Sequence, residues 1–165
     1  MTKKSLSDRD PVWVKKARET GETGEISLQQ CLEKFLPEME IISKPKTLKK
    51  IYGGKFGIIP DLCIKNKSNG KMIFLEKKTG EKGGNAHERA YKYLSPALIQ
   101  KVQEDFNVTH PPFLFVFSGK TFKDEKYTKE ISFMLSHIPD NFIIWDGSDE
   151  MIENFSIKIR KKLQS

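Results

Sequence analysis

The stretch Ile58-Ile59-Pro60-Asp61-Leu62-Cys63-Ile64-Lys65-Asn66-Lys67-Ser68-Asn69-Gly70-Lys71-Met72-Ile73-Phe74-Leu75-Glu76-Lys77-Lys78 decides the fold. Two runs rich in apolar residues, Ile58–Ile64 and Met72–Lys78, bracket Asn66–Gly70, whose Asn, Ser and Gly residues have the chemistry of a hairpin loop. The pattern predicts two antiparallel strands. Gly53-Gly54 and Gly57 break the chain before the first strand, and Gly80 to Gly84 form a loop after the second.

Upstream, Leu28, Cys31, Leu32, Phe35 and Leu36 recur with helical spacing, and Pro37 stops that helix. Glu38–Ser43 reads as a short strand and Lys44-Pro45-Lys46 as a basic turn. Downstream, Asn85 is placed to cap a helix beginning Ala86-His87-Glu88-Arg89, with Glu88 at the capping-box position. Phe113-Leu114-Phe115-Val116-Phe117, between Pro111-Pro112 and Gly119, is an unbroken apolar run of the kind found in central strands buried on both faces. A helix over about Lys126–His137 carries Ile131, Met134, Leu135 and Ile138 on one side, Phe142–Trp145 is another buried strand, and Met151–Leu163 is a terminal helix. This order predicts an α/β fold, a mixed central β-sheet flanked by helices. With no internal repeat or low-complexity linker, residues 1–165 read as a single domain.

The chain has 165 residues, with Lys+Arg 29 against Asp+Glu 22 and a formal net charge of +7. Eleven Phe supply aromatic core material and argue against disorder. No apolar run approaches the ~20 residues needed to span a bilayer, and the first residues carry no signal-peptide h-region. A soluble, cytoplasmic protein of prokaryotic type, with no membrane partner, is expected. Cys31 and Cys63 lack CxxC spacing, which argues against a zinc site or a disulfide framework. Residues 41–90 hold twelve basic against four acidic side chains, whereas the segments on either side are close to balance. Such clustering fits a polyanion partner, most often nucleic acid, and also fits a solvated basic face.

Strand alternation projects Glu76 and Lys78 to one face, and the hairpin brings Asp61 beside it. Two carboxylates drawn together from different strands repel unless a cation sits between them. Oxygen ligands with an open coordination sphere favour Mg²⁺. A metal there can polarise a phosphodiester and acidify a water, while Lys78 orients or deprotonates that water. One and two Mg²⁺ ions per active site are both compatible with the pattern. An exposed hairpin with an ordinary Asp/Glu/Lys salt bridge would read similarly. Three features favour the catalytic reading: the acids interrupt apolar strands, the basic excess falls on the same segment, and the next element opens with a helix N-terminus suited to phosphate.

Pro60-Asp61 followed by Glu76-Lys77-Lys78 resembles the PD-(D/E)XK nuclease signature. Gly84-Asn85-Ala86-His87-Glu88-Arg89, continuing to Pro96, resembles the Gly-Asn-Ala-x-Glu-Arg motif of EcoRI/MunI-like type II restriction endonucleases. The resemblance implies a PD-(D/E)XK restriction-endonuclease-like core over most of the chain. It implies metal ligation by Asp61, Glu76 and the Lys77 carbonyl, and Lys78 serving the attacking water. It further implies a DNA-reading set of Gly84, Asn85, Ala86 and Arg89 directed at a central AATT. Physically this fits, because Asn bonds adenine bidentately and an Ala methyl touches a thymine methyl. Where a MunI-like member of the family carries an arginine just before Gly-Asn-Ala, this chain has Gly83, so Lys82 takes over, another loop reads the outer base pair, or that pair is not read; an AATT core with altered or relaxed outer specificity is expected. The implied enzyme is a homodimer cutting palindromic double-stranded DNA to leave 5′ overhangs, with Glu88 and Arg89 buttressed across the two-fold axis and a cognate methyltransferase as companion.

Two other functions share these features. A structure-directed nuclease of the Holliday junction resolvase type shares fold, size and charge, and a non-catalytic DNA-binding module would keep the fold alone. Among remaining residues, Glu25 or Glu33 of the first helix could lend the metal a carboxylate, but a solvated face is the simpler role. His87 suits capping or packing as well as DNA contact, and His110 and His137 read as surface residues near turns. Tyr91, Tyr93 and Leu94 read as packing residues. Lys44, Lys46, Lys49 and Lys50 suit phosphate contacts.

Overall fold

Apolar side chains on both faces of the central strands dictate a sheet covered on each side. The computed structural model describes residues 27–54, 57–81 and 83–164. These build a five-stranded sheet of order β1-β2-β3-β4-β5, from β1 (Met39–Ser43), β2 (Leu62–Asn66), β3 (Met72–Thr79), β4 (Phe113–Ser118) and β5 (Phe142–Trp145). β1, β2 and β3 pair antiparallel, while β3–β4 and β4–β5 pair parallel. The predicted mixed α/β sheet is therefore present.

One face carries Leu62, Ile64, Ile73, Leu75, Leu114, Val116 and Trp145 against two helices: α1, over residues 27–35, and α4 (Asp149–Gln164). The other carries Cys63, Phe74, Phe113, Phe115 and Phe117 against α2 (Pro96–Phe106), α3 (Glu125–Met134) and a 3-10 helix at Ala86–Leu94. β4 is buried on both sides, as its unbroken apolar run requires. The hairpin turn docks on the end of α4, where the Asn66 and Asn69 amides both donate to the Leu163 carbonyl, at 3.0 and 2.8 Å. These bonds satisfy an orphan acceptor of the helix C-terminus.

The molecule departs from the sequence pattern in four places. Apolar spacing predicts the first hairpin strand from Ile58, but pairing begins at Leu62, because Pro60 has no N–H to donate and constrains the residue before it. The Asp61 carbonyl instead accepts from the Lys44 N–H at 2.8 Å. The element opened by Ala86 is a 3-10 helix rather than an α-helix, and Asn85 makes no side-chain cap. Its carbonyl accepts from the Glu88 N–H at 3.1 Å in the tighter i→i+3 pattern. The chain breaks again at Ser95-Pro96, where Ser95 is extended as a residue before proline must be, and α2 starts with Pro96. β5 is the sheet edge, so Phe142, Ile143 and Ile144 are half-buried, and Met134 of α3 is exposed while Ile131 and Leu135 are buried.

Candidate active site

The site lies where β2 and β3 part. Their ladder runs from Lys65↔Met72 to Leu62↔Leu75, so β3 continues beyond it as Glu76-Lys77-Lys78-Thr79, paired on its other side with β4. Asp61, one residue before β2, fills the gap: the Lys77 backbone N–H donates to its Oδ2 at 2.7 Å. A side chain thus takes the donor that a longer β2 would have occupied.

Glu76 shares the Phe74 face of β3 and is 6% exposed. Lys78, two residues on, points to the same face, with Nζ 3.9 Å from Glu76 Oε1. Burial pushes the Asp61 carboxyl up to about 7, helped by the hydrogen bond and repulsion from Glu76 and opposed by the Lys77 N–H and Lys78. Asp61, Glu76 and Lys78 are therefore brought together as the spacing predicts. Two acids crowded around one proton form a donor set in which a divalent cation can take the proton's place. Lys77 turns its side chain to the opposite face, its ammonium lying 5.4 Å from the Trp145 ring centre.

The segment after β3 is pinned to the chain beyond β4. Gly80 N–H donates to the Ser118 carbonyl at 3.0 Å, Thr121 N–H to the Gly80 carbonyl at 2.9 Å, and Gly83 N–H to Thr121 Oγ1 at 2.8 Å. Gly84 has φ +102°, a conformation that favours glycine. Asn85 and Arg89 are exposed and Ala86 is half-buried, while Lys82 falls outside the described residues. His87 is 1% exposed and packs edge-on against Tyr91, Phe122 and Tyr127, with Nε2 3.3 Å from Glu130 Oε1, a packing role. The ligand atoms of His87, Glu88 and Glu130 lie within 4.8 Å of one another, a second group able to hold a cation.

Glu33 is exposed and accepts from Gln29, as a solvated face requires, and Glu25 lies outside the described residues. Lys44, Lys46 and Lys50 are exposed and Lys49 half-buried. Residues not singled out in the sequence also matter. Lys120 and Lys123 join Lys77 and Trp145 around a cleft of about 420 Å³ at the ends of the parallel strands. Tyr93, which the sequence pattern assigns to packing, is fully buried, and its hydroxyl is pushed well up, by burial first and then by Glu76 and Asp61.

Known proteins share this fold and are similar in sequence. A solved structure titled as that of MunI restriction endonuclease in complex with cognate DNA superposes with a TM-score of 0.64 and 26% identity, covering 76% of this chain and 83% of that one. The type II restriction enzyme MunI of Mycoplasma sp is 30% identical over 125 residues, and the match spans 66% of this chain and 62% of that relative. Among the described residues, no helix is long and apolar enough to cross a membrane. Residues 53–164 match the family described as type II restriction enzyme MunI, a range that holds the hairpin acids, the Gly-Asn-Ala segment and the last four strands, and the chain belongs to that family.

Proposed function

We propose that this chain is a Mg²⁺-dependent, site-specific type II endodeoxyribonuclease that hydrolyses palindromic double-stranded DNA with an AATT core and leaves 5′ overhangs. The observation that carries this reading is the pair of carboxylates, Asp61 and Glu76, crowded beside Lys78 at the parting of β2 and β3. Membership of the restriction-enzyme family and likeness to a DNA-bound relative support it.

Asp61 and Glu76 would hold the cation, one or two per site. In an extended strand the N–H and C=O of one residue face the same neighbour. The Lys77 carbonyl, on the side from which its N–H reaches Asp61, is thus a third candidate ligand. When bound, the cation polarises the scissile phosphodiester and acidifies water. Lys78 orients or deprotonates the attacking water, and the Lys77 N–H fixes the Asp61 carboxylate. Asn85, Ala86 and Arg89 enter the major groove, where each wrong base should weaken binding by about 1–3 kcal/mol. The outer base pair falls to Lys82 or another loop or goes unread, so that outer specificity is altered or relaxed. The reading takes the chain as one nuclease domain, acting in the cytoplasm as a homodimer whose two-fold axis matches the palindrome, with a methyltransferase protecting the same site.

The test is incubation of purified protein with plasmid DNA and Mg²⁺, repeated with EDTA. Discrete bands that vanish with EDTA and carry 5′ overhangs are expected. Selective cutting of four-way junctions would replace the reading with a resolvase, and retention without cleavage would replace it with a binding module. Asp61→Ala should abolish cleavage while cognate DNA is still retained in a mobility-shift assay. Wild-type turnover by that variant would remove Asp61 from the site.

A further inference from the structure

Tyr93 stands at the junction of the two halves of the site. Its ring lies on the aromatic face of β4, with centroids 4.9 Å from Phe113 and 6.4 Å from Phe115. Phe115 is the register partner of Glu76, so the phenol sits over the same patch of sheet as the catalytic-site carboxylate. The residue is 1% exposed, and its hydroxyl oxygen is enclosed with no hydrogen-bond partner. Burial first, and then the Glu76 and Asp61 carboxylates, push that hydroxyl well up. A buried hydroxyl left unpaired costs about 1–3 kcal/mol. Packing alone would be served better by phenylalanine at this position.

Tyr93 also belongs to the 3-10 helix Ala86–Leu94, which opens with Ala86 and carries Arg89. One short, hydrogen-bonded segment therefore joins the DNA-reading residues to the buried acid. Building on the nuclease reading, we propose that Tyr93 is a positioning residue. Its hydroxyl donates to the Glu76 carboxylate, holds it toward Asp61, and links the occupied recognition segment to the cation-binding pair. Groups behind metal ligands typically alter metal affinity or activity by roughly 10–100-fold when removed.

The experiment uses the full chain and Mn²⁺ as probe, by isothermal titration and by the electron paramagnetic resonance signal of free Mn²⁺. Tyr93→Phe removes one oxygen and keeps the ring packing. It should weaken Mn²⁺ binding roughly tenfold, raise the Mg²⁺ concentration for half-maximal cleavage by a similar factor, and leave the unfolding temperature and the affinity for cognate DNA without metal unchanged. Tyr91→Phe serves as the control. Its hydroxyl is likewise enclosed and unpartnered, but Tyr91 packs against His87, so Mn²⁺ binding should match the wild type.

Mn²⁺ affinity within twofold of wild type in Tyr93→Phe would overturn the proposal. A fall in unfolding temperature with unchanged Mn²⁺ affinity would reduce Tyr93 to packing. The Mn²⁺ titration is independent of cleavage. If the wild-type protein binds Mn²⁺ through Asp61 yet cuts no DNA, the nuclease reading fails and the positioning role is still decided.

Discussion

Asp61 is held where its ionised form is disfavoured, and that has a measurable consequence for stability. Its carboxyl is pushed up to about 7 from an ordinary value near 3.8, by burial and then by Glu76. In the unfolded chain it ionises near the ordinary value, so the folded state binds the extra proton between those limits. Stability conferred by that proton is complete below about pH 4 and lost as pH rises through about 7. Asp61→Asn should therefore unfold at a higher temperature than the wild type in the absence of metal, by an amount that grows from pH 4 to pH 7 and levels off above. Thermal unfolding across that range checks it, and a pH-independent difference would contradict the crowded pair. Asp61, Glu76 and Lys78 were legible in the sequence because strand alternation and one hairpin suffice to bring them together. Tyr93 was not, because its relation to Glu76 depends on a helix packing onto β4, which has no periodic signature.

The strands and the long helices were legible from apolar spacing, but the elements at the site departed from it. Three of these departures have local causes: Pro60 delays β2, i→i+3 bonding tightens the Ala86 helix, and Pro96 restarts the chain as α2. Each departure shapes the site. The delay of β2 frees the Lys77 N–H for Asp61, and the tight turn after Gly84 leaves Asn85 and Arg89 exposed. Gly119 is the hinge pin of this arrangement. It has φ +99°, and a Cβ there would lie 2.3 Å from the Gly80 carbonyl oxygen, closer than any real Cβ approaches. Since the Gly80 carbonyl accepts from Thr121 and Thr121 in turn holds Gly83, Gly119→Ala should displace the loop that sets up the Gly-Asn-Ala segment. The expected effect is a loss of about 1–3 kcal/mol of stability together with weakened discrimination between cognate and random DNA. Chemical denaturation and competition binding measure the two effects, and unchanged discrimination would detach the loop from recognition.

Basic side chains from separate parts of the chain, Lys77, Lys120 and Lys123, meet at one cleft at the ends of the parallel strands. The excess of basic residues in 41–90 was visible in the sequence, but the structure adds Lys120 and Lys123 from a segment of balanced composition, because the ends of β3, β4 and β5 converge on one cleft. Composition along the chain cannot reveal a patch assembled from distant strands. If DNA runs along this cleft, lysines that neutralise phosphates and residues that read bases should separate in their response to salt. Phosphate neutralisation releases counterions and steepens the salt dependence of binding without carrying sequence information, whereas bonds to base edges set specificity. Replacing both Lys120 and Lys123 by alanine should weaken binding of cognate and random duplexes by the same factor. It should also lower the slope of log affinity against log salt by about one for each phosphate no longer neutralised. Fluorescence anisotropy with both duplexes, at several salt concentrations, reads the slope and the specificity ratio together. An unchanged slope would place the cleft away from the DNA path, and a collapse in the ratio would make these lysines readers of sequence rather than of backbone charge.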